Sequence, residues 1–306
     1  MADSTKLRYF DVAWFSRYDG PGCRTVLFLQ GCHLRCPWCH SPHSWRHSAP
    51  LLFFPARCTH CGACVQACPQ RVHSLKGGEH RLDRERCIRC GKCVDACPVS
   101  GQGRHGGALC LPTVEATVAE VWQLLAPQLA LVRPIGGITL SGGEALLQGQ
   151  AVRSLLERCH AAQVHTAVET SGCLPTESYA AVADLVDCWL FGLRPSPLYR
   201  RPVHLEQQVE ANLRFVAALG RRVIIRTPIV AGYTADPASL AWIAERMRSC
   251  GLAEIQLLPC NPDTSHYYAA MGLICPVGPA VLPTTAQLDQ ITDHFREWGI
   301  TAAILR

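Results

Sequence analysis

Two hydrophobic rhythms run along this chain of 306 residues. Short runs of β-branched and other apolar residues predict strands at Thr25–Gln30, Ile138–Leu140, His165–Val168, Cys188–Phe191, Val223–Arg226 and Glu254–Leu258. Between them apolar residues recur at helical spacing. This predicts helices near Val114–Leu125, Ala151–Ala162, Glu177–Ala183, Leu205–Leu219, Leu240–Ser249 and Thr285–Trp298. Val152, Leu155, Leu156 and Cys159 mark one such apolar face. Strand and helix in alternation predict an α/β fold, a parallel sheet with helices outside it. A closed eight-stranded barrel takes about 250 residues. Six visible strands predict a partial (β/α)6 barrel instead, with its chemistry at the C-terminal ends of the strands.

One stretch breaks both rhythms. From about Ser41 to Leu111 the long apolar segments give way to Cys, Gly, Pro and Arg. Cys58 to Pro69 is repeated as Cys87 to Pro98, and a Gly-rich run, Gly101 to Gly107, closes the stretch and is predicted to be flexible. The expected organisation is a barrel begun by residues 1–45, an insert over 46–111 and the rest of the barrel over 112–306.

Composition narrows the chemistry. The formal charge is only +5 and no basic run interleaves with aromatics, which argues against nucleic acid. No window approaches the ~18 apolar residues of a membrane span. The N-terminal residues lead into no apolar stretch of signal-peptide length, so a reducing cytoplasm is expected. There the nineteen cysteines read as metal ligands, and eleven of them fall between Cys32 and Cys97.

Directly after the first predicted strand stand Cys32, Cys36 and Cys39, spaced C-x3-C-x2-C. Three thiolates this close suit three irons of a cubane, leaving the fourth iron open to a substrate. Zinc, with His33 or His40 as fourth ligand, is the alternative. Cys58, Cys61, Cys64, Cys68 and Pro69 spell C-x2-C-x2-C-x3-C-P, and Cys87, Cys90, Cys93, Cys97 and Pro98 spell it again. This is the bacterial ferredoxin run, in which the fourth cysteine of each run ligates the other cluster. By that rule Cys97 joins Cys58, Cys61 and Cys64, while Cys68 joins Cys87, Cys90 and Cys93. Of the other cysteines, Cys159 and Cys188 are expected in the core. Tyr267, Tyr268 and Met271 read as core or as a partner-facing lid.

The triad, with the aromatic Trp38 before its last cysteine, resembles the radical S-adenosylmethionine superfamily. The upstream block Asp19-Gly20-Pro21-Gly22-Cys23-Arg24-Thr25 is similar to that of the glycyl-radical enzyme activating enzymes. Ser141-Gly142-Gly143-Glu144, Glu169-Thr170-Ser171-Gly172 and Arg226-Thr227-Pro228 follow in the family's order, each at a predicted strand. The resemblance implies an oxidoreductase with three 4Fe–4S clusters, one of them binding S-adenosyl-L-methionine. Cys32, Cys36 and Cys39 would be the catalytic triad. Glu144 and Glu169 would meet the methionine amino group and Arg226 its carboxylate. Gly142, Gly143, Trp38 and Asn261 would complete the cofactor pocket.

The implied reaction is reductive cleavage to methionine and a 5′-deoxyadenosyl radical, which takes a hydrogen from a backbone glycine of a partner glycyl-radical enzyme. Flavodoxin or ferredoxin is the implied electron donor, and oxygen sensitivity follows. Two positions depart from the family. Gly192 and Arg194 stand where an Asp-x-Lys element is usual, and Cys260-Asn261 where an aromatic-His pair is. Two other functions compete: a radical enzyme with auxiliary clusters acting on a different peptide or small molecule, and a ferredoxin-type electron carrier.

Overall fold

The computed structural model describes residues 4–100, 107–195, 203–278 and 281–305. The run 101–106, predicted to be flexible, lies outside the described residues. The chain opens with β1 (Lys6–Ser16) and β2 (Cys23–Leu29), an antiparallel pair. The cysteine-rich stretch follows as β3 (Leu52–Phe53), α1 (Ala63–Ala67), β4 (His73–Lys76), β5 (Glu79–Leu82), α2 (Lys92–Asp95) and β6 (Leu109–Cys110). β3 pairs with β6, so the stretch leaves and returns through one short ribbon. Next come β7 (Val114–Thr117), α3 (Val118–Val132), β8 (Gly136–Gly142), α4 (Gly149–Ala161), β9 (His165–Thr170), α5 (Thr176–Ala180) and β10 (Cys188–Gly192). The chain ends with α6 (Val203–Ala218), β11 (Arg222–Ile229), α7 (Pro237–Ser249), β12 (Glu254–Pro259), α8 (Thr264–Ala270), α9 (Thr285–Glu297) and β13 (Thr301–Ile304).

The main sheet runs β13-β12-β11-β10-β9-β8-β2-β1-β7. From β2 to β13 every pairing is parallel, and β1 and β7 close one side antiparallel. Its two edge strands do not pair with each other among the described residues, so this is a partial barrel of successive β/α units. All six expected strands are present. Five of them are buried on both faces, which explains why they read so clearly: Val26, Leu27, Leu29, Ile138, Leu140, Val168, Leu190, Phe191 and Ile225 are all fully buried, while β12 alternates buried and half-buried residues.

Three strands of the main sheet were not expected. β1 is broken by irregular register at Tyr9/Asp11 and Ala13/Ser16, which spoils its alternation. β13 is short and half-exposed. β7 corrects the expected helix start at Val114: residues Val114–Thr117 extend along β1. Thr117 is the helix N-cap, accepting from the Glu120 N–H while the Glu120 carboxylate accepts from the Thr117 N–H. The same helix runs through Pro127 to Val132. Among the described residues, no helix is long and apolar enough to cross a membrane.

The β3–β6 ribbon has two faces, as a period of two requires. Leu51, Phe53 and Leu109 pack with Cys64 and Cys93. Leu52, Phe54 and Cys110 pack instead with Tyr267 and Ala270 of α8. Arg84 adds a polar tie by donating to the Ala270 carbonyl at 2.6 Å.

Candidate active site

The triad loop leaves the C-terminal end of β2 and is pinned from beneath. Gln30, 2% exposed, donates through Nε2 to the carbonyls of His43 and Arg46. The Gly31 and Cys32 N–H groups donate to the Ser44 and Trp45 carbonyls at 2.8 and 3.1 Å. Cys32, Cys36 and Cys39 therefore share one small loop. Burial pushes the Cys32 thiol up to about 12, and Glu144, Cys36 and Cys39 add to the rise. Burial likewise pushes Cys39 up to about 11, with Cys36 raising it further and Arg194 opposing the rise. Such thiols stay protonated unless a cation compensates them, so the donor set fits an iron cluster, whose positive charge keeps ligating sulfur as thiolate. Trp38 is buried and meets Tyr233 edge-on at 5.6 Å, in a cluster with Val230, Cys260 and Val277. Tyr267 and Tyr268 are buried as well.

β8 delivers Glu144 beside this loop. At Gly142 φ is +111°, and an added Cβ would lie 2.3 Å from the Leu29 nitrogen; at Gly143 it would lie 2.1 Å from the Gly31 oxygen. Only glycine permits that approach of β8 to the triad loop. The Glu144 N–H donates to the Gly31 carbonyl, and the residue is fully buried. Its Oε2 accepts from the Ser171 N–H at 2.8 Å and the Ser171 hydroxyl at 2.5 Å. Its Oε1 is buried without a hydrogen-bond partner among the described residues. A buried polar atom left without a hydrogen-bond partner costs about 1–3 kcal/mol, more when the group is charged. It fits a cationic ligand group such as an ammonium.

Glu169 and Arg226 meet across the strands. Glu169 Oε2 accepts from the Ser141 hydroxyl, and Oε1 lies 3.0 Å from Arg226 Nη1. Arg226 Nη1 also faces Asp19 Oδ1 at 3.5 Å, and Nη2 donates to the Tyr18 carbonyl. Thus the Asp19 block reaches the same cluster of charges as the strand-end residues. Asn261 follows β12, and its Oδ1 accepts from the Asp263 N–H as α8 begins.

The departure at Gly192 has a steric account. A Cβ there would sit 2.7 Å from Arg194 Nη1 and 2.9 Å from Nη2. The guanidinium occupies the space that a side chain at position 192 would need. Sequence reading had singled out neither this fit nor Ser141, Ser171 and the Asp19–Arg226 pair as contacts. Both serines lie inside the quoted motifs, where their neighbours already drew attention.

In the insert, two hollows, each partly open to solvent, span an empty volume of about 320 Å³. Cys58, Cys61, Cys64 and Cys97 line one; Cys68, Cys87, Cys90 and Cys93 line the other. The fourth cysteine of each run thus lines the cavity of the other run. Burial raises the Cys64 thiol, with Cys58, Cys97 and Cys61 adding to it. Burial pushes Cys93 up to about 12, with Cys87, Cys68 and Cys90 adding. Both quartets fit a cluster for the same reason as the triad. Cys159 and Cys188 are fully buried in the core.

A family model, the 4Fe-4S dicluster domain, matches residues 57–101. The 4-hydroxyphenylacetate decarboxylase activating enzyme of Clostridioides difficile is 32% identical, over 96% of this chain and 95% of its own. The (2S)-3-sulfopropanediol sulfolyase activating enzyme of Bilophila wadsworthia is 34% identical, over 77% and 79%. Among solved structures, a domain of a pyruvate-formate lyase-activating enzyme from Bacteroides vulgatus aligns with a TM-score of 0.45 at 23% identity, over 56% of this chain and 99% of that one.

Proposed function

The chain belongs to the activating enzymes of glycyl-radical enzymes, and from that premise we propose which of its residues carry the reaction. A 4Fe–4S cluster, when bound, supplies the electron that cleaves S-adenosylmethionine to methionine and a 5′-deoxyadenosyl radical, which takes a hydrogen from a backbone glycine of the partner enzyme. Cys32, Cys36 and Cys39 hold three irons and leave one for the methionine end of the substrate. Glu144 Oε1 receives the methionine ammonium, Gly142 and Gly143 let backbone approach it, and Glu169 flanks it. Arg226 takes the carboxylate, its fork turning from Glu169 and Asp19. Trp38 walls the cluster off from water, and the Asn261 amide donates from the start of α8.

The insert, residues 46–111, holds two further 4Fe–4S clusters on the quartets Cys58/Cys61/Cys64/Cys97 and Cys68/Cys87/Cys90/Cys93. That makes three clusters and about twelve irons per chain. Flavodoxin or ferredoxin supplies the electron, in the cytoplasm. The two relatives are named for a decarboxylase and a sulfolyase; the partner here is a glycyl-radical enzyme.

The observation that carries the site assignment is the buried, half-satisfied Glu144 carboxylate beside the triad thiols. Reduced protein should release methionine and 5′-deoxyadenosine from S-adenosylmethionine. Cys36→Ala should abolish this and lower iron from about twelve to about eight per chain. Equal cleavage by that variant would sink the triad assignment. With a panel of glycyl-radical enzymes the parent should give an organic radical signal with its cognate partner.

A further inference from the structure

The two cysteine runs agree in sequence and in backbone. His60 and Arg89 both have φ of 56°, and Gly62 and Gly91 are both left-handed, at 80° and 83°. Their surroundings differ. The hairpin β4–β5 covers only the cavity of Cys58, Cys61, Cys64 and Cys97, and it carries His73 and His80. His80 Nδ1 lies 3.8 Å from Cys58 Sγ. Its Nε2 lies 2.9 Å from His73 Nδ1 and 3.7 Å from Cys64 Sγ. Phe53 holds the His80 ring at 4.3 Å between centroids. His73 is 3% exposed, and its Nε2 has no hydrogen-bond partner among the described residues. No described residue lining the other cavity is a histidine. Arg89 lines it but donates through Nη1 to the Ser48 carbonyl at 3.1 Å.

Counting protons fixes the direction of this chain. A neutral imidazole has a single N–H, and the contact between the two rings uses one hydrogen. If His80 supplied it, a bare Nδ1 lone pair would face the Cys58 sulfur, and His73 would bury an unpaired N–H at Nε2. If His73 supplies it, His80 keeps its hydrogen on Nδ1, aimed at Cys58, and no buried N–H is orphaned. The second arrangement leaves only an acceptor lone pair, at His73 Nε2, without a partner, and aims an N–H at the Cys58 sulfur.

We propose that His80, oriented by His73, donates an N–H to the Cys58 thiolate and so sets the cluster of Cys58, Cys61, Cys64 and Cys97 at a higher potential than its sibling. A hydrogen bond to ligating sulfur stabilises the more negative, reduced cluster. The first electron to enter the insert therefore rests under the hairpin. This rests on the reading that two 4Fe–4S clusters fill the insert, which iron content tests by itself.

The test uses the full-length chain with Cys36→Ala, so that only insert clusters signal. Fewer than about eight irons in this parent would defeat the underlying reading rather than this one. Electron paramagnetic resonance during redox titration should resolve two insert potentials. Adding His80→Phe should lower the upper one and leave the lower one in place. His73→Phe should shift it less, in the same direction, and His80→Asn, which keeps an N–H donor, should largely restore it. A hairpin that merely clasps the insert would alter loading or melting while both potentials stayed put, and that result overturns the proposal. His60 also lines this cavity and its backbone N–H donates to Cys58 Sγ at 3.4 Å, so should His80→Phe fail to load, the parent carrying His60→Asn and labelled with ring-¹⁵N histidine answers instead. Its first-reduced state should show a ¹⁵N coupling in pulsed spectra, and the lack of one overturns the proposal.

Discussion

The barrel and the insert both gather cysteines, but they hold them by different means. In the barrel, Leu27, Leu29, Ile138, Leu140, Val168 and Phe191 belong to one continuous apolar core, and the triad loop hangs from its edge on backbone hydrogen bonds. In the insert, the apolar cluster on the cysteine side of the ribbon is Leu51, Phe53 and Leu109 with two of the repeat cysteines, Cys64 and Cys93. Its helices are single turns, α1 and α2. Apolar burial on that scale does not offset the chain entropy of some 45 residues, which costs roughly 1–2 kcal/mol each. On the reading proposed above, metal–thiolate bonds supply the difference, as in other small metal-held domains. The barrel is thus a fold that positions a cluster, and the insert is a fold that its clusters make.

The sharpest way to break this contrast is to remove iron. Chelation under reducing conditions should expose residues 57–101 to protease and strip amide protection there, while protection in β8 to β11 persists. Uniform loss by hydrogen exchange across both regions would erase the distinction. Next in size is Glu144→Gln. Losing a charge-assisted contact of about 2 kcal/mol should weaken S-adenosylmethionine roughly thirtyfold by equilibrium binding. Because it also removes a buried, half-paired charge, the melting temperature should hold or rise. Gly192→Ala tests a finer point: it should displace the Arg194 guanidinium and weaken binding about fivefold, close to 1 kcal/mol, without loss of iron. The smallest effect belongs to Thr117→Ala, which should cost the barrel about 1 kcal/mol by denaturant melting and leave both binding and iron content intact.

Legibility in the sequence followed the same divide. Buried parallel strands announce themselves as apolar runs, and closely spaced cysteines are local, so six strands and the grouping of the clustered cysteines are legible. β1, β7 and β13 are not, because the bulged β1 and the partly exposed edge strands β7 and β13 lose their alternation. Pairings that depend on register across the sheet were also hidden. Asp19 meets Arg226 over a separation of some two hundred residues, and Arg194 reveals its position only once Gly192 is seen to leave room for it. His73 and His80 have no motif spacing at all; a hairpin brings them together.

The β3–β6 ribbon imposes a rule of parity on descendants of this sequence. Leu51, Phe53 and Leu109 face the repeat cysteines Cys64 and Cys93, and Leu52, Phe54 and Cys110 face α8. Gaining or losing one residue in either strand would turn every side chain beyond it to the opposite face. Length can drift freely in the loops of the insert, but across its two-stranded doorway it can change only in steps of two.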